Sequence, residues 1–498
     1  MEKSGQTSGF QFTDLVLFVF PPAIVTFFFW MTSPREITIF QAGLAFILLC
    51  IPWVGYCRWK RELTSELPLY SIITLAYWVY YALPLFWASR DKTSFGMRIF
   101  TLTDELATKT MLLAVVGVLS IGLGMSLKLG RKWSPRRLPD IQTDTRGWSY
   151  IRFLLVVGAL SNLDESLPYM FGEAGRQIVF ILQKDIPLLA FALLFRSYLR
   201  GTASRTDRIF IVFYIGISFL TGLSSGWLGA FAIPMIICTI VYIAEKRKVP
   251  RFIIGCTVVY VLFFQASKVD VRERYWVKQE SGTRIERIEF WLKQSLAKWE
   301  NALDEPTDQA IRDLAYQSMS RLSLLEQSAN VLDLTPTEVP YQDGRLYSYM
   351  AYTLIPRFMW ADKPSVNEAN RFYQVEYGLT NERNLSSVSI AVGVLTESYI
   401  NFGWPGVVFI MLLLGILFDY IQETFLSKTS GLLFTGIGII LIPYFMVLEA
   451  QMAQYLGGMV QRILMIMLIM LPVIRNRIPK TQKSIADNNL EVSVSTVS

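Results

Sequence analysis

Runs such as Ile37–Gly55, Met111–Leu127, Ile209–Leu220 and Val407–Phe418 are apolar on every face. A helix with no polar side has nowhere to meet water, so such runs belong in lipid or at the centre of a helical bundle. Only 17% of the 498 residues are charged, and mean hydropathy is +0.37. A soluble domain with so little charge could not cover its own surface, which excludes the ordinary globular classes. Leu15–Met31 has no small-residue cleavage site after it and many runs follow. It reads as a first span rather than a cleaved leader.

At roughly 20 residues per crossing, the sequence predicts about twelve transmembrane helices. They fall near 14–31, 37–57, 67–88, 108–127, 148–167, 177–195, 208–221, 227–244, 251–268, 404–422, 431–449 and 455–474. The expected fold class is an all-α polytopic membrane protein with one large helical external loop, 269–385. That loop follows a first bundle, 1–268. It precedes a re-entrant or outer-half segment, 386–403, the C-terminal helices, 404–475, and a disordered cytoplasmic tail, 476–498.

Alternating the spans assigns connectors 58–66, 128–147, 196–208 and 245–251 to one face, where they hold 17 Lys+Arg. The short connectors of the other face (32–36, 89–107, 168–176, 222–226, 450–454) hold 5. The positive-inside bias puts both termini in the cytoplasm and the loop outside. The formal charge of +7 divides into −4 in the loop and +11 elsewhere. That pattern suits anchoring at a lipid surface and not nucleic-acid binding.

The chain has no histidine, and its four cysteines all lie in or beside predicted spans without a CxxC pair. Neither a disulfide nor a thiolate metal site is expected, and no cofactor is called for. Within the loop, Ile285, Ile288, Leu292, Leu296, Trp299 and Leu303 recur at helical spacing and predict one apolar stripe. A second helix is read over 309–332 and a third over 346–354, before Pro356. Ser365-Val366-Asn367-Glu368 has the form of a capping box opening a fourth, which Gly378 should end. The first half of the loop reads as a lid. The stretch 387–402 is apolar but short and rich in Ser, Gly and Thr. Parity of the crossings makes it re-entrant or outer-half, and irregular backbone there must line protein or a watery cavity.

Charged residues near the membrane are the candidate site. Glu397 lies in that stretch, where a carboxylate is costly and therefore functional by default. Asp362 is its substitute. Asp270, Arg272 and Arg274 leave the ninth span at the height of a lipid phosphate, or anchor the interface with Trp276. Arg176 follows the fifth span and either reaches an outer cavity or pairs with Glu173. Arg462 is expected to pair with Glu449. Lys184 and Asp185 point about 100° apart on a helix, so each needs its own partner.

The segment Ile355-Pro356-Arg357-Phe358-Met359-Trp360-Ala361-Asp362-Lys363-Pro364, followed by Val392–Gly406 opening a span, resembles the Wzy-type oligosaccharide repeat-unit (O-antigen) polymerases. The likeness is sharp over 350–419 and architectural elsewhere. It implies a GT-C-like bundle and a metal-independent glycosyltransferase of the inner membrane. Its substrate would be an undecaprenyl-pyrophosphate-linked oligosaccharide, with a chain-length regulator protein as a further partner. It also implies pyrophosphate or glycan binding by Arg357, Lys363 and Arg371, with Glu397 or Asp362 as base. The turn Thr221–Trp227 departs from the pattern, carrying Trp227 where similar polymerases often have Arg. The related O-antigen ligases use a loop histidine, which this chain lacks. Competing readings are a flippase or sugar transporter, and a structural subunit of an envelope-assembly complex.

The chemistry agrees with the resemblance. A pyrophosphate leaving group needs neutralising, which Arg does with paired hydrogen bonds. The acceptor's proton needs a carboxylate where no histidine can take it.

Overall fold

The computed structural model describes residues 12–475 except 63–64, 88–92, 96, 136–137, 143, 165, 305–322, 354, 356–359, 361–366, 383–384 and 386–390. Every segment predicted to span contains a helix. Before the loop come α1 (Phe12–Thr32), α2 (Ile39–Glu62), α3 (Leu69–Leu85), α4 (Asp104–Ser126), α5 (Thr145–Ser161), α6 (Ile178–Leu199), α7 (Arg205–Ser225), α8 (Gly229–Lys246) and α9 (Arg251–Gln265). The loop supplies α10 (Lys268–Val277), α11 (Arg284–Asp304), α12 (Leu325–Leu334) and α13 (Glu368–Glu376). Then follow α14 (Gly393–Phe425), α15 (Leu432–Met446) and α16 (Met452–Met470). Among the described residues seven helices (α2, α4, α6, α7, α8, α14 and α16) are long and apolar enough to cross a membrane. The pair α9–α10, bent by 60°, would make an eighth. The protein is thus an all-α membrane protein, with two minimal strand pairs.

Local signals set where these helices start. Thr103 Oγ1 accepts from Leu106 N at 3.2 Å, and Asp104 and Glu105 complement the dipole of α4. Ser204 and Asp207 form a reciprocal capping box on α7. At the centre, α4 and α14 meet backbone to backbone. A Cβ at Gly415 would sit 2.2 Å from the Ile121 carbonyl oxygen, and one at Gly124 would sit 2.1 Å from that of Leu412. Small residues permit this approach between apolar helices.

The basic connectors gather at one end of the bundle. Arg196 bridges Glu66 (3.2 Å) and Glu245, Arg200 joins Glu245 at 2.8 Å, and Arg247 donates to the Ser65 and Glu66 carbonyls. Glu66 N donates to the Leu426 carbonyl, and Arg131 N to Asp419 Oδ2. Asp140 Oδ1 accepts from Leu433 N at 3.0 Å, and Asp140–Ile141 pairs as a strand with Ile474–Arg475. Residues of the large loop dock elsewhere: Asp333 meets Arg98, before α4, at 3.1 Å, and Asn367 Oδ1 accepts from Gln454 Nε2, in the first turn of α16, at 2.5 Å.

Inside the loop, α11 forms where its periodicity predicts, but a different face is buried. Ile285, Leu292, Leu296 and Leu303 stay exposed, while Trp291, Ser295 and Ala302 are buried. The reason is polar. The indole N–H of Trp291 reaches the Phe264 carbonyl (3.0 Å), Trp299 reaches that of Phe263 (3.3 Å), and Lys298 reaches that of Ala266 (3.0 Å). These are the open carbonyls at the C-terminus of α9, and satisfying them decides how α11 sits. The expected 309–332 helix is described only as α12, its earlier part lying outside the described residues. The expected 346–354 helix is seen as a 3-10 turn, Arg345–Ser348, running into Tyr349–Thr353.

Of the expected capping box, Ser365 and Val366 lie outside the described residues. The described helix begins at Glu368 after Asn367, which makes no side-chain cap and whose Oδ1 accepts from Gln454 Nε2. Its end agrees with the sequence, at Gly378 with φ +72°. The tail, 476–498, lies outside the described residues.

Candidate active site

The stretch expected to be irregular is regular helix from Gly393, and it runs into the following span. Its polar side chains are absorbed by the helix itself: Ser398 Oγ donates to the Val394 carbonyl and Asn401 Nδ2 to that of Glu397. The break comes at Gly403 (φ 63°, ψ −153°), a conformation open essentially to glycine alone. A Cβ there would lie 2.9 Å from Tyr341 Oη. Pro405, which has no N–H to leave unpaired, follows directly as the second half begins.

Residues Gly393–Asn401 are all buried, and Glu397 has no exposed surface. Its Oε2 accepts from Met452 N at 2.7 Å, at the first residue of α16, where the helix dipole favours negative charge. Among the described residues its Oε1 has no partner. Beside it, Gln451 is fully buried, and among the described residues neither of its amide atoms has a partner. Tyr347 Oη donates to Ser398 Oγ at 3.1 Å, and the hydroxyls of Tyr81, Ser328 and Thr396 form a chain at 3.3 and 2.6 Å. Met452 N binds the carboxylate itself, while α3, α12 and the 3-10 turn bond the residues on either side of it, Thr396 and Ser398. Buried polar atoms without protein partners call for water or a ligand hydroxyl.

A second feature lies at the turn between α7 and α8. A cavity of about 300 Å³ is walled by Tyr169, Phe180, Trp227 and Trp276. Lys184 lines it, with Nζ 4.4 Å from the Trp227 ring centre. Two predicted arginines stack on its wall: Arg176 is 4.2 Å from the Tyr169 ring centre and Arg272 is 4.4 Å from that of Trp276. A larger groove, about 590 Å³, runs along α9 from Arg251 to Phe264, and its lining is almost wholly apolar. It offers nothing for polar chemistry and suits contact with lipid.

Arg176 and Arg272 each stack on a ring that walls one cavity, without lining it themselves, and Glu397 lies elsewhere, in the buried polar region. Arg274 is tied to Glu280 (2.6 Å) and stacks on Phe290, and Asp270 is tied to Lys298 (2.6 Å). Arg371 sits on the exposed face of α13 with Glu368, at 2.9 Å. Arg357, Asp362 and Lys363 lie outside the described residues. Arg462 pairs with Asp185 at 3.1 Å and stacks on Tyr444, correcting the expected pair with Glu449. Lys184 and Asp185 do diverge to separate partners, Trp227 and Arg462. Sequence reading missed Gln451 and Tyr347, since an amide and a phenol in connectors are ordinary. Trp227 it noted only for the arginine it displaces.

Fold and site together define an all-α membrane protein with a buried carboxylate on a broken helix and a separate cation-and-aromatic cavity. Residues 124–483 match the family described as a domain of unknown function (DUF8712), and the chain belongs to that family. No curated protein and no solved structure matches it.

Proposed function

We propose that this protein polymerises lipid-linked oligosaccharide repeat units at the outer face of the inner membrane. The observation that carries the reading is Glu397: a carboxylate without exposed surface, one oxygen held and the other without a partner among the described residues, in a chain without histidine. Such a group is placed to accept the proton of a sugar hydroxyl. In the reaction that hydroxyl oxygen attacks the anomeric carbon of the donor glycan, and the bond to undecaprenyl pyrophosphate breaks. The hydroxyl proton passes to the carboxylate, and the pyrophosphate leaves with the bonding pair, stabilised by guanidinium groups. The reading takes the twelve apolar helices as a GT-C-like set of crossings, with both termini cytoplasmic and the large loop outside.

The test is reconstitution with a lipid-pyrophosphate oligosaccharide and sizing of the products. A ladder of longer glycans is expected from the native chain. Glu397→Gln should abolish it while keeping an oxygen to accept from Met452, so the protein stays folded. Transbilayer movement of the lipid without chain growth would replace this reading with a transporter.

A further inference from the structure

Gln451 is the N-cap residue of α16, with extended backbone (φ −77°, ψ 161°), and its side chain makes no bond to the helix it precedes. The task of such a side chain, accepting from an open N–H of the first turn, is done from another helix: Glu397 Oε2 takes the Met452 N–H at 2.7 Å. The Gln451 amide is nonetheless fully buried, and among the described residues neither its Oε1 nor its Nε2 has a partner. A buried amide unmet at both ends is costly, so an apolar side chain of similar size would give a more stable protein. Its use lies outside the fold.

Glu397 Oε1 shows the same pattern one peptide bond away from that residue. The backbone holds the two side by side. A Cβ on Gly393 (φ +79°), at the start of α14, would lie 2.2 Å from the Leu448 carbonyl oxygen, so α14 and the segment leading into α16 meet backbone to backbone. Together they ask for a donor to the carboxylate oxygen, a donor to the amide oxygen and an acceptor for the amide N–H. The reacting hydroxyl alone supplies only the first. Two hydroxyls on neighbouring carbons supply all three: one gives its proton to Glu397, and the other donates to Gln451 Oε1 while accepting from Nε2. A cation would leave the N–H unmet, and an anion would face the Glu397 charge.

We propose that Gln451 is a specificity residue for the acceptor sugar: it binds the hydroxyl next to the one that attacks, so the acceptor must end in a vicinal diol. The identity of the reacting hydroxyl rests on the polymerase reading, whereas the need for a partner that both donates and accepts rests on the buried amide. The loop closes over this helix on either side of Glu397, through Ser328 with Thr396 and Tyr347 with Ser398, so entry of the sugar requires these contacts to open.

The test uses the full chain in lipid nanodiscs with two acceptors. One is the lipid-linked repeat unit that accumulates in cells lacking this chain, and the other is its synthetic analogue without the hydroxyl beside the attacking one. By kcat/KM the native chain should favour the first about 100-fold, as the loss of two hydrogen bonds to a buried amide implies. Gln451→Met should slow the first acceptor to the level of the second and slow the second no further, whereas a merely structural role would lower both alike. Thermal unfolding of the sugar-free chain gives a readout independent of turnover. Gln451→Met should leave Tm unchanged or raise it, and a fall of more than about 4 °C would mean that the amide holds the protein together, which overturns the proposal. Equal use of the two acceptors by the native chain also overturns it and leaves the polymerase standing. No accumulated unit, or no growth from either acceptor, sinks the polymerase reading and this inference with it.

Discussion

Within a span, a charged side chain left without its partner is costly, so Arg462 and Asp185 should act as a unit. Arg462→Met alone or Asp185→Asn alone is expected to cost about 3 kcal/mol, and the double substitution less than either. Thermal unfolding of the four proteins in one detergent gives the coupling directly. Glu326, on α12, offers a pH-dependent counterpart outside the spans. Burial holds its carboxyl above the usual range, and the Arg35 guanidinium draws part of that back. Arg35 is itself buried, tied to Asp104 at 2.9 Å with its Nε and Nη1 unpartnered. A carboxyl raised in the folded state stabilises it fully below the unfolded value of about 4.3, and that contribution fades as pH rises through the folded value. Docking of α12 should therefore loosen as pH rises above about 4.3. Glu326→Gln should flatten that dependence in hydrogen exchange of Leu325–Leu334. Glu397 could be singled out from sequence because a lone acid in an apolar stretch is conspicuous. Gln451 could not, because an amide is costly only once both its atoms are shown to be buried and unmet.

At the scale of elements, α14 depends on one residue. Gly403→Ala places a side chain in a glycine-only conformation and against Tyr341, and should destabilise by roughly 1–3 kcal/mol. Denaturation in detergent would show it, and an unchanged midpoint would mean the break is relocated cheaply. Helix α11 carries a row of exposed large apolar residues beside a buried face that caps α9. At the end of a membrane helix such a row is expected to lie in the bilayer interface. A nitroxide at Leu296 should collide with dissolved oxygen more than with a polar nickel chelate, and one at Asn301, exposed on another side of the helix, the reverse. Periodicity was enough to find α11. Which face it buries could not be read from apolar spacing, since carbonyls of another helix choose it.

For the molecule as a whole, each apolar run marked in the sequence contains a helix, and among the described residues seven of them are long and apolar enough to cross a membrane. How far apart in sequence the site residues would lie was not readable. Tyr81, Ser328 and Thr396 form one hydroxyl chain across more than three hundred residues, which only tertiary packing decides. The orientation proposed here has a direct check. In a chain freed of native cysteines, Thr337→Cys should react with an impermeant maleimide on intact cells, and Lys246→Cys only after permeabilisation.

The clasp of Asp140–Ile141 on Ile474–Arg475, with Leu433 N on Asp140, also sets an order of assembly. When the ribosome has delivered the first nine helices and the large loop, that strand and that carboxylate still wait for partners made last. The basic end therefore cannot close during synthesis. Nascent chains halted before residue 432 should show this end open to protease, and they should depend on insertion chaperones until α15 and α16 arrive.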